Sequence, residues 1–416
     1  MLERLKIDPH RLDQRIQALA KIGAQGPGAG VTRRAFSDEE AAAKRYIAEL
    51  CQGEGLSLRE DGAGNLIARL GPPGPAVLTG SHLDSVPNGG HLDGAYGVVA
   101  GVEALSVLRT QQHQLKRAVE LVAFTDEEGR FGSMIGSRCM SGLASREELL
   151  EARDESGRSL ESALEARGSS IDAALAAARD QAEVSAFVEL HIEQGPLLES
   201  RGLTLGVVEE IVGIQRWRAS FTGEANHAGT TPMALRKDAF VGLTDFATQL
   251  HPILAQYGTD AARGTIGEVS LSPGYMGVVP EVASFSLDLR DRSLSALREM
   301  EQALRQHAEE VAAARGLTLS VSPLGGLTPT RCAPELVELI DQLAREGGET
   351  PLRMVSGATH DAVPMSALTP VGMIFVPSSK GVSHSPKEWT SPEALACGAE
   401  LLLNTLYQLA TRDADG

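Results

Sequence analysis

The chain has 416 residues, 42% hydrophobic and 22% charged, with few aromatics and 44 glycines; it is too long for one ordinary core, and the composition suits a two-domain α/β protein better than a helical bundle. Its formal net charge of −17 argues against nucleic acid as a partner, since phosphate binding needs a basic patch, and no apolar run approaches the length of a membrane span. The four cysteines (Cys51, Cys139, Cys332, Cys397) have no short-range pairing, which excludes a disulfide framework or cysteine zinc site and predicts reduced thiols in a cytoplasmic setting.

The charged, amphipathic start, Met1-Leu2-Glu3-Arg4-Leu5-Lys6, does not have the form of a signal peptide. Two short apolar strands follow, Ala76 to Ser81 and Val119 to Phe124, with a helix of small residues from Gly94 to Leu108 between them. Strand, helix, strand predicts a βαβ unit with functional groups at the strand ends. Arg146 to Gln181 is rich in Ala, Glu and Arg and predicts helix broken near Gly157 and Gly168. Phe187 to His191 predicts another strand, ended by Gln194-Gly195-Pro196.

The pattern then changes. Strands are expected at Ile214 to Thr222, Ala283 to Leu289 and Leu317 to Val321, with helices at Asp238 to Leu250 and Ser293 to Ala314. This β-α-β-α-β run predicts a separate α+β domain at 213–327, inserted in an α/β domain made of 1–212 and 328–416. After Pro329 an αβαβα pattern returns, closing with a helix from Pro392 to Ala410.

Chemistry concentrates at the strand ends. In Ser81-His82-Leu83-Asp84, positions i and i+2 share a face, so the Asp84 carboxylate can accept a hydrogen bond from a metal-binding His82 ring and fix its tautomer. Asp93 stands where the long helix begins; a helix N-cap is its plainer reading, as a satisfied core histidine is for His82. Thr125-Asp126-Glu127-Glu128-Gly129 places three adjacent acids at the end of an apolar strand, either as a solvated turn or as carboxylates awaiting a cation. In the second case one glutamate would ligate and its neighbour would act as general base. His82, His191, His227, His360 and His384 all fall in turn-rich stretches, which host chemistry more often than packing does.

These motifs resemble those of the M20-type metallohydrolases and, within them, the hydantoinase/carbamoylase branch. That branch holds N-carbamoyl-L-amino acid hydrolases, allantoate amidohydrolases, ureidoglycolate amidohydrolases and β-ureidopropionases. The match runs in order from about Gly80 to Glu388 and includes Gly80 to Pro87, Glu127 to Phe131, His191 to Pro196 and His227 to Met233. The resemblance implies an α/β metal-binding domain whose mixed sheet is flanked by helices, with an inserted ferredoxin-like lid that also makes a homodimer. It implies two divalent ions per subunit, zinc or manganese, one held by His82, Asp93 and His191 and the other by Asp93, Glu128 and His384. Glu127 would be the general base toward a metal-activated water, and His227 would help hold the oxyanion, reaching the partner subunit's site. Gln194, Gln215, Arg290, Ser356, Gly357 and His360 would contact the substrate, although a surface salt bridge to Asp288 or Asp291 competes for Arg290. His191, where the peptidases of the wider family usually carry a carboxylate, favours the carbamoylase branch.

The implied activity is hydrolysis of an N-carbamoyl amino acid or related ureido acid. An N-acyl amino acid amidase or dipeptidase on the same scaffold is the alternative; Glu127 beside a full ligand set argues against a binding protein that has lost catalysis. One loop departs from the family: Pro273-Gly274-Tyr275-Met276-Gly277-Val278-Val279-Pro280 has glycine at both positions where relatives carry asparagine. The departure bears on substrate choice and leaves the general chemistry intact.

Overall fold

The computed structural model describes residues 4–412, so Met1 to Glu3 of the charged start lie outside the described residues. The described chain divides into two compact units, one of residues 4–209, 332–354 and 360–412, the other of 210–331 and 355–359. The segment 355–359 belongs to the second unit because Val212 donates its amide to Ser356 O and Arg290 donates to Gly357 O.

The sheet of the first unit runs in the order Ser57–Glu60, Leu66–Leu70, Ala118–Phe124, Ala76–His82, Val184–Ile192, Val371–Val376 and Gly206–Ile211. Its four central strands, from Ala118–Phe124 to Val371–Val376, are mutually parallel, and Leu66–Leu70 and Gly206–Ile211 join antiparallel. The central strands are apolar on both faces because helices cover both sides of a parallel sheet. Helix Ala95–Leu108 makes the crossover from Ala76–His82 to Ala118–Phe124, and the next parallel strand, Val184–Ile192, lies on the other side of Ala76–His82. The winding therefore reverses beside Ala76–His82. Ligand sites of open α/β sheets form at the carboxyl ends of strands at such a reversal.

The stretch from Arg146 to Gln181, expected as helix broken near Gly157 and Gly168, holds three short helices separated at those places, Arg146–Glu151, Leu160–Glu165 and Ile171–Leu175. Ser145, Ser159 and Ser170 each cap one by accepting an amide three residues on, so the chain restarts helix three times. These helices enclose a small apolar cluster of their own with Phe36, Phe131 and Leu149.

The second unit holds an antiparallel sheet in the order Thr318–Leu327, Gly213–Thr222, Val282–Asp291, Arg263–Thr265, with Val269–Ser272 also paired to Val282–Asp291. Two of these strands, Arg263–Thr265 and Val269–Ser272, are too short for sequence periodicity to mark them. The helix expected from Asp238 to Leu250 ends at Thr248, and a second one follows at Leu250–Tyr257. Strict alternation along Val282–Asp291 buries Ala283, Phe285, Leu287 and Leu289 against Trp217, Phe246, Leu297 and Met300. The same alternation turns Asp288 and Arg290 to the opposite face.

Candidate metal centre

Three of the parallel strands deliver candidate ligands. Strand Ala76–His82 ends on His82, Ala118–Phe124 leads into Glu127 and Glu128, and Val184–Ile192 carries His191. Asp93 comes from the loop before helix Ala95–Leu108, and His384 from the loop beyond Val371–Val376.

Asp93 stands at the centre. Its Oδ1 lies 3.1 Å from His191 Nε2 and 3.5 Å from His82 Nε2, while its Oδ2 lies 3.1 Å from His384 Nε2. His384 Nε2 is in turn 3.6 Å from Glu128 Oε2, and His82 Nε2 is 3.8 Å from Glu127 Oε2. Two groups of donor atoms result, His82–Asp93–His191 and Asp93–Glu128–His384, sharing one aspartate. A third group, Glu189–His191–His360, shares His191 with the first. Asp93 is not a helix cap: the N-cap position is Gly94, with no side-chain cap bond, and the aspartate side chain turns toward the histidines. Gly94 is required there, since its φ is +60° and a Cβ would lie 2.5 Å from the His82 ring.

The buried imidazoles are oriented from behind. Nδ1 of His82 donates to the Asp84 backbone carbonyl at 2.9 Å, and Nδ1 of His191 to that of Ile192 at 2.8 Å. Both rings thus turn Nε2 toward Asp93, the nitrogen a metal-binding imidazole offers once it has given up its proton. The expected role of the Asp84 carboxylate in fixing the His82 tautomer is corrected here. That carboxylate is 3.6 Å from Nδ1 and instead accepts the backbone amides of Glu127 at 3.3 Å and Glu128 at 3.1 Å. The third acid, Asp126, points away from its neighbours: with φ of +59° it accepts the amides of Arg130, Phe131 and Gly132, shaping the turn.

Charge is closely packed. Burial pushes the Glu127 carboxyl well above its ordinary range; His82 opposes this and Glu128 adds to it. Burial, and then Asp93, push Glu128 up to about 7. Burial works against ionised Asp93 too, but the hydrogen-bonding rings of His191, His384 and His82 hold it well below the usual carboxylate range. Carboxylates this crowded in a water-poor pocket call for positive charge. The donor set, imidazole nitrogen with carboxylate oxygen, is the chemistry that zinc and manganese take, so the residues fit a divalent ion.

The residues expected to contact substrate divide between the units. In the first, Gln194 donates to Asp93 Oδ2 at 2.8 Å, and buried His360 packs edge-on against His191 with ring centres 4.6 Å apart. Burial, reinforced by His191, keeps the His360 ring neutral. In the second unit, Arg290 binds Asp288 through Nε at 2.8 Å and Gly357 O through Nη1 at 2.8 Å. The competing salt bridge to Asp288 is therefore formed, while Asp291 holds Thr259 and Ser293. Gln215 pairs across the sheet with Leu289, so strand alternation sets it on the opposite face from Arg290. The Ser356 hydroxyl is engaged with Ala358 O and N in its own turn. His227 is exposed, and its Nδ1 accepts the amides of Gly229 and Thr230, leaving the proton on an outward Nε2.

Sequence reasoning missed Glu388 and Ser383. Glu388 accepts the amides of Leu92 and Asp93, and Ser383 bonds both Glu388 and Asp93. Their only signal was an acid and a hydroxyl flanking His384 in a turn-rich stretch.

Residues 78–408 match Peptidase family M20/M25/M40. The chain belongs to this family. Among its relatives, an N-carbamoyl-L-amino acid amidohydrolase of Geobacillus stearothermophilus is 42% identical over 97% of this chain and 99% of the relative. An allantoate amidohydrolase of Bacillus subtilis is 37% identical over 95% of this chain and 96% of its own length. An amidase of the hydantoinase/carbamoylase family from Burkholderia multivorans superimposes with a TM-score of 0.91 at 32% identity, covering 99% of this chain and all of its own. The family thus places a metallohydrolase scaffold around the donor groups described above. Among the described residues no helix is long and apolar enough to cross a membrane.

Proposed function

We propose that this chain is a metal-dependent amidohydrolase that cleaves the C–N bond of an N-carbamoyl amino acid or related ureido acid, releasing ammonia, carbon dioxide and the amine. The observation that carries the reading is the divided carboxylate of Asp93, one oxygen facing His82 and His191 and the other His384. The naming of its relatives as amidohydrolases supports the substrate class.

His82, Asp93 and His191 would hold one divalent ion, and Asp93, Glu128 and His384 a second. Such ions supply Lewis acidity, which a urea-like carbonyl needs because its nitrogen lone pairs make it a poor electrophile. Glu127 takes the proton of the attacking water and passes it to the departing nitrogen. Its buried setting raises its basicity above that of an ordinary carboxylate, the direction a proton shuttle requires. His227 donates its Nε2 proton to the developing oxyanion. Gln194, Gln215, Arg290, Ser356, Gly357 and His360 shape the substrate pocket, with Arg290 as the partner for a carboxylate.

The second unit acts as a ferredoxin-like lid that excludes water and forms a homodimer, and the enzyme works in the cytoplasm. One competing activity on the same scaffold is an N-acyl amino acid amidase or dipeptidase. Elemental analysis and chelation test the metal reading. About two divalent ions per chain and activity lost with the ions, restored on their return, are expected; full turnover by thoroughly metal-free protein would refute it.

A further inference from the structure

We propose that Glu388 is a positioning residue that assembles the Asp93–Glu128–His384 group, tying the loop of the shared aspartate to the loop of His384 through one buried carboxylate. The inference rests on the two-ion reading above.

Glu388 is 2% exposed. Its Oε1 accepts the backbone amides of Leu92 at 2.9 Å and Asp93 at 3.1 Å, and its Oε2 accepts the Ser383 hydroxyl at 2.7 Å. The Ser383 oxygen also lies 3.3 Å from Asp93 Oδ2. Glu388 closes its own loop by donating its amide to Ser385 O. A buried carboxylate is costly unless such donors surround it, and three donors from two loops converge here. Space is reserved for it, since a Cβ at Gly90 would lie 1.9 Å from Glu388 Oε1.

The two ligand groups depend on this tie unequally. His82 and His191 sit on a rigid sheet, each anchored through Nδ1 to a backbone carbonyl. His384 lies on a loop, its side chain 51% exposed and its φ at +53°. Its polar ring contacts are with Asp93, Glu128 and Gln194, with no carbonyl anchor among the described residues. The bond from Ser383, the residue just before it, to Glu388 therefore fixes where His384 stands relative to Asp93.

The test is metal titration of the full-length, metal-stripped protein with Mn2+, read by calorimetry and elemental analysis alongside the unfolding temperature of the metal-free form. Wild type should take two ions. Glu388→Ala should weaken one of them by about 10–100-fold, the range for loss of a group supporting a metal ligand, and leave the other far less affected. Ser383→Ala, which removes the tie to the His384 loop along with the longer contacts of that hydroxyl to Asp93 and Gln194, should show the same one-ion loss with little change in unfolding temperature. Glu388→Gln should recover most of the affinity, because its carbonyl still accepts both amides and its NH2 can donate to Ser383. Should Glu388→Ala not fold, Ser383→Ala and Glu388→Gln decide the matter. Two ions bound at wild-type affinity in Ser383→Ala, or equal weakening of both ions in the Ala and Gln variants, would overturn the proposal alone. A wild-type protein binding fewer than two ions would overturn the two-ion reading, and this inference with it.

Discussion

The Asp84 carboxylate accepts the backbone amide of Glu128 at 3.1 Å and, with its other oxygen, that of Glu127 at 3.3 Å. One acid on the strand-end loop of His82 thus sets the position of two acids on the neighbouring strand end. Removing it leaves one buried and one part-buried amide without this acceptor and frees the turn that aims both glutamates. Asp84→Ala is expected to lower metal affinity by about 10–100-fold and kcat with it, while Asp84→Asn, which keeps one acceptor, falls in between. Unchanged metal affinity in Asp84→Ala, measured by titration of the apo protein, would show that the turn holds its shape unaided.

Glu127 and Glu128 are neighbours in sequence with separate surroundings, the first nearest His82 and the second nearest His384. Glu127→Gln is expected to keep its metal and lose turnover by about two orders of magnitude or more, the usual contribution of a proton-transfer group. Glu128→Gln is expected to lose metal as well. Elemental analysis of both purified variants checks this, and the reverse pattern would exchange the two roles.

Much of this centre was legible in the sequence. Short apolar strands ending abruptly in His or acidic clusters marked His82, Glu127 and Glu128, because a parallel sheet exposes functional groups only at its ends. What stayed hidden depends on contacts between distant loops. Nothing near Glu388 signals that Leu92 and Asp93, almost three hundred residues earlier, would supply its partners. Asp84 was noticed, but strand geometry suggested a bond to the His82 ring, whereas the strand ends at His82 and the carboxylate swings to the next turn. In the region 146–181 the breaks near Gly157 and Gly168 were legible, whereas the three serines that cap and restart the helices were not.

His227, proposed to act in the partner subunit's site, gives a distinctive expectation. Mixing inactive His227→Ala with inactive Glu127→Gln should restore roughly a quarter of wild-type activity, because random exchange makes half the dimers hybrid and each hybrid has one complete site. An activity assay after verified subunit exchange reads this directly. No recovery would place His227 in its own subunit's site.

The 273–280 loop should govern substrate choice. A Cβ at Gly277 would meet the Tyr275 ring at 3.6 Å, an ordinary contact, so a side chain is tolerated there. Arg290 is shared with Asp288, and the family resemblance implies a neutral amide side chain where Gly277 stands. One such hydrogen bond is worth about 0.5–1.5 kcal/mol, or roughly two- to tenfold in affinity. Wild type should act weakly on allantoate and N-carbamoylglycine and prefer bulkier, more apolar ureido or acyl substrates. Gly277→Asn should lower KM for the small acids by that factor, and an unchanged substrate ranking would remove the loop from consideration.

The central claim is tested most directly by counting products from one N-carbamoyl amino acid with an apolar side chain, supplied to metal-loaded and to chelated enzyme. The account predicts one ammonia for each amine released by the loaded enzyme and neither product from the chelated one. Amine released from an N-acyl substrate with no turnover of the carbamoyl compound, or equal ammonia release without metal, would contradict it.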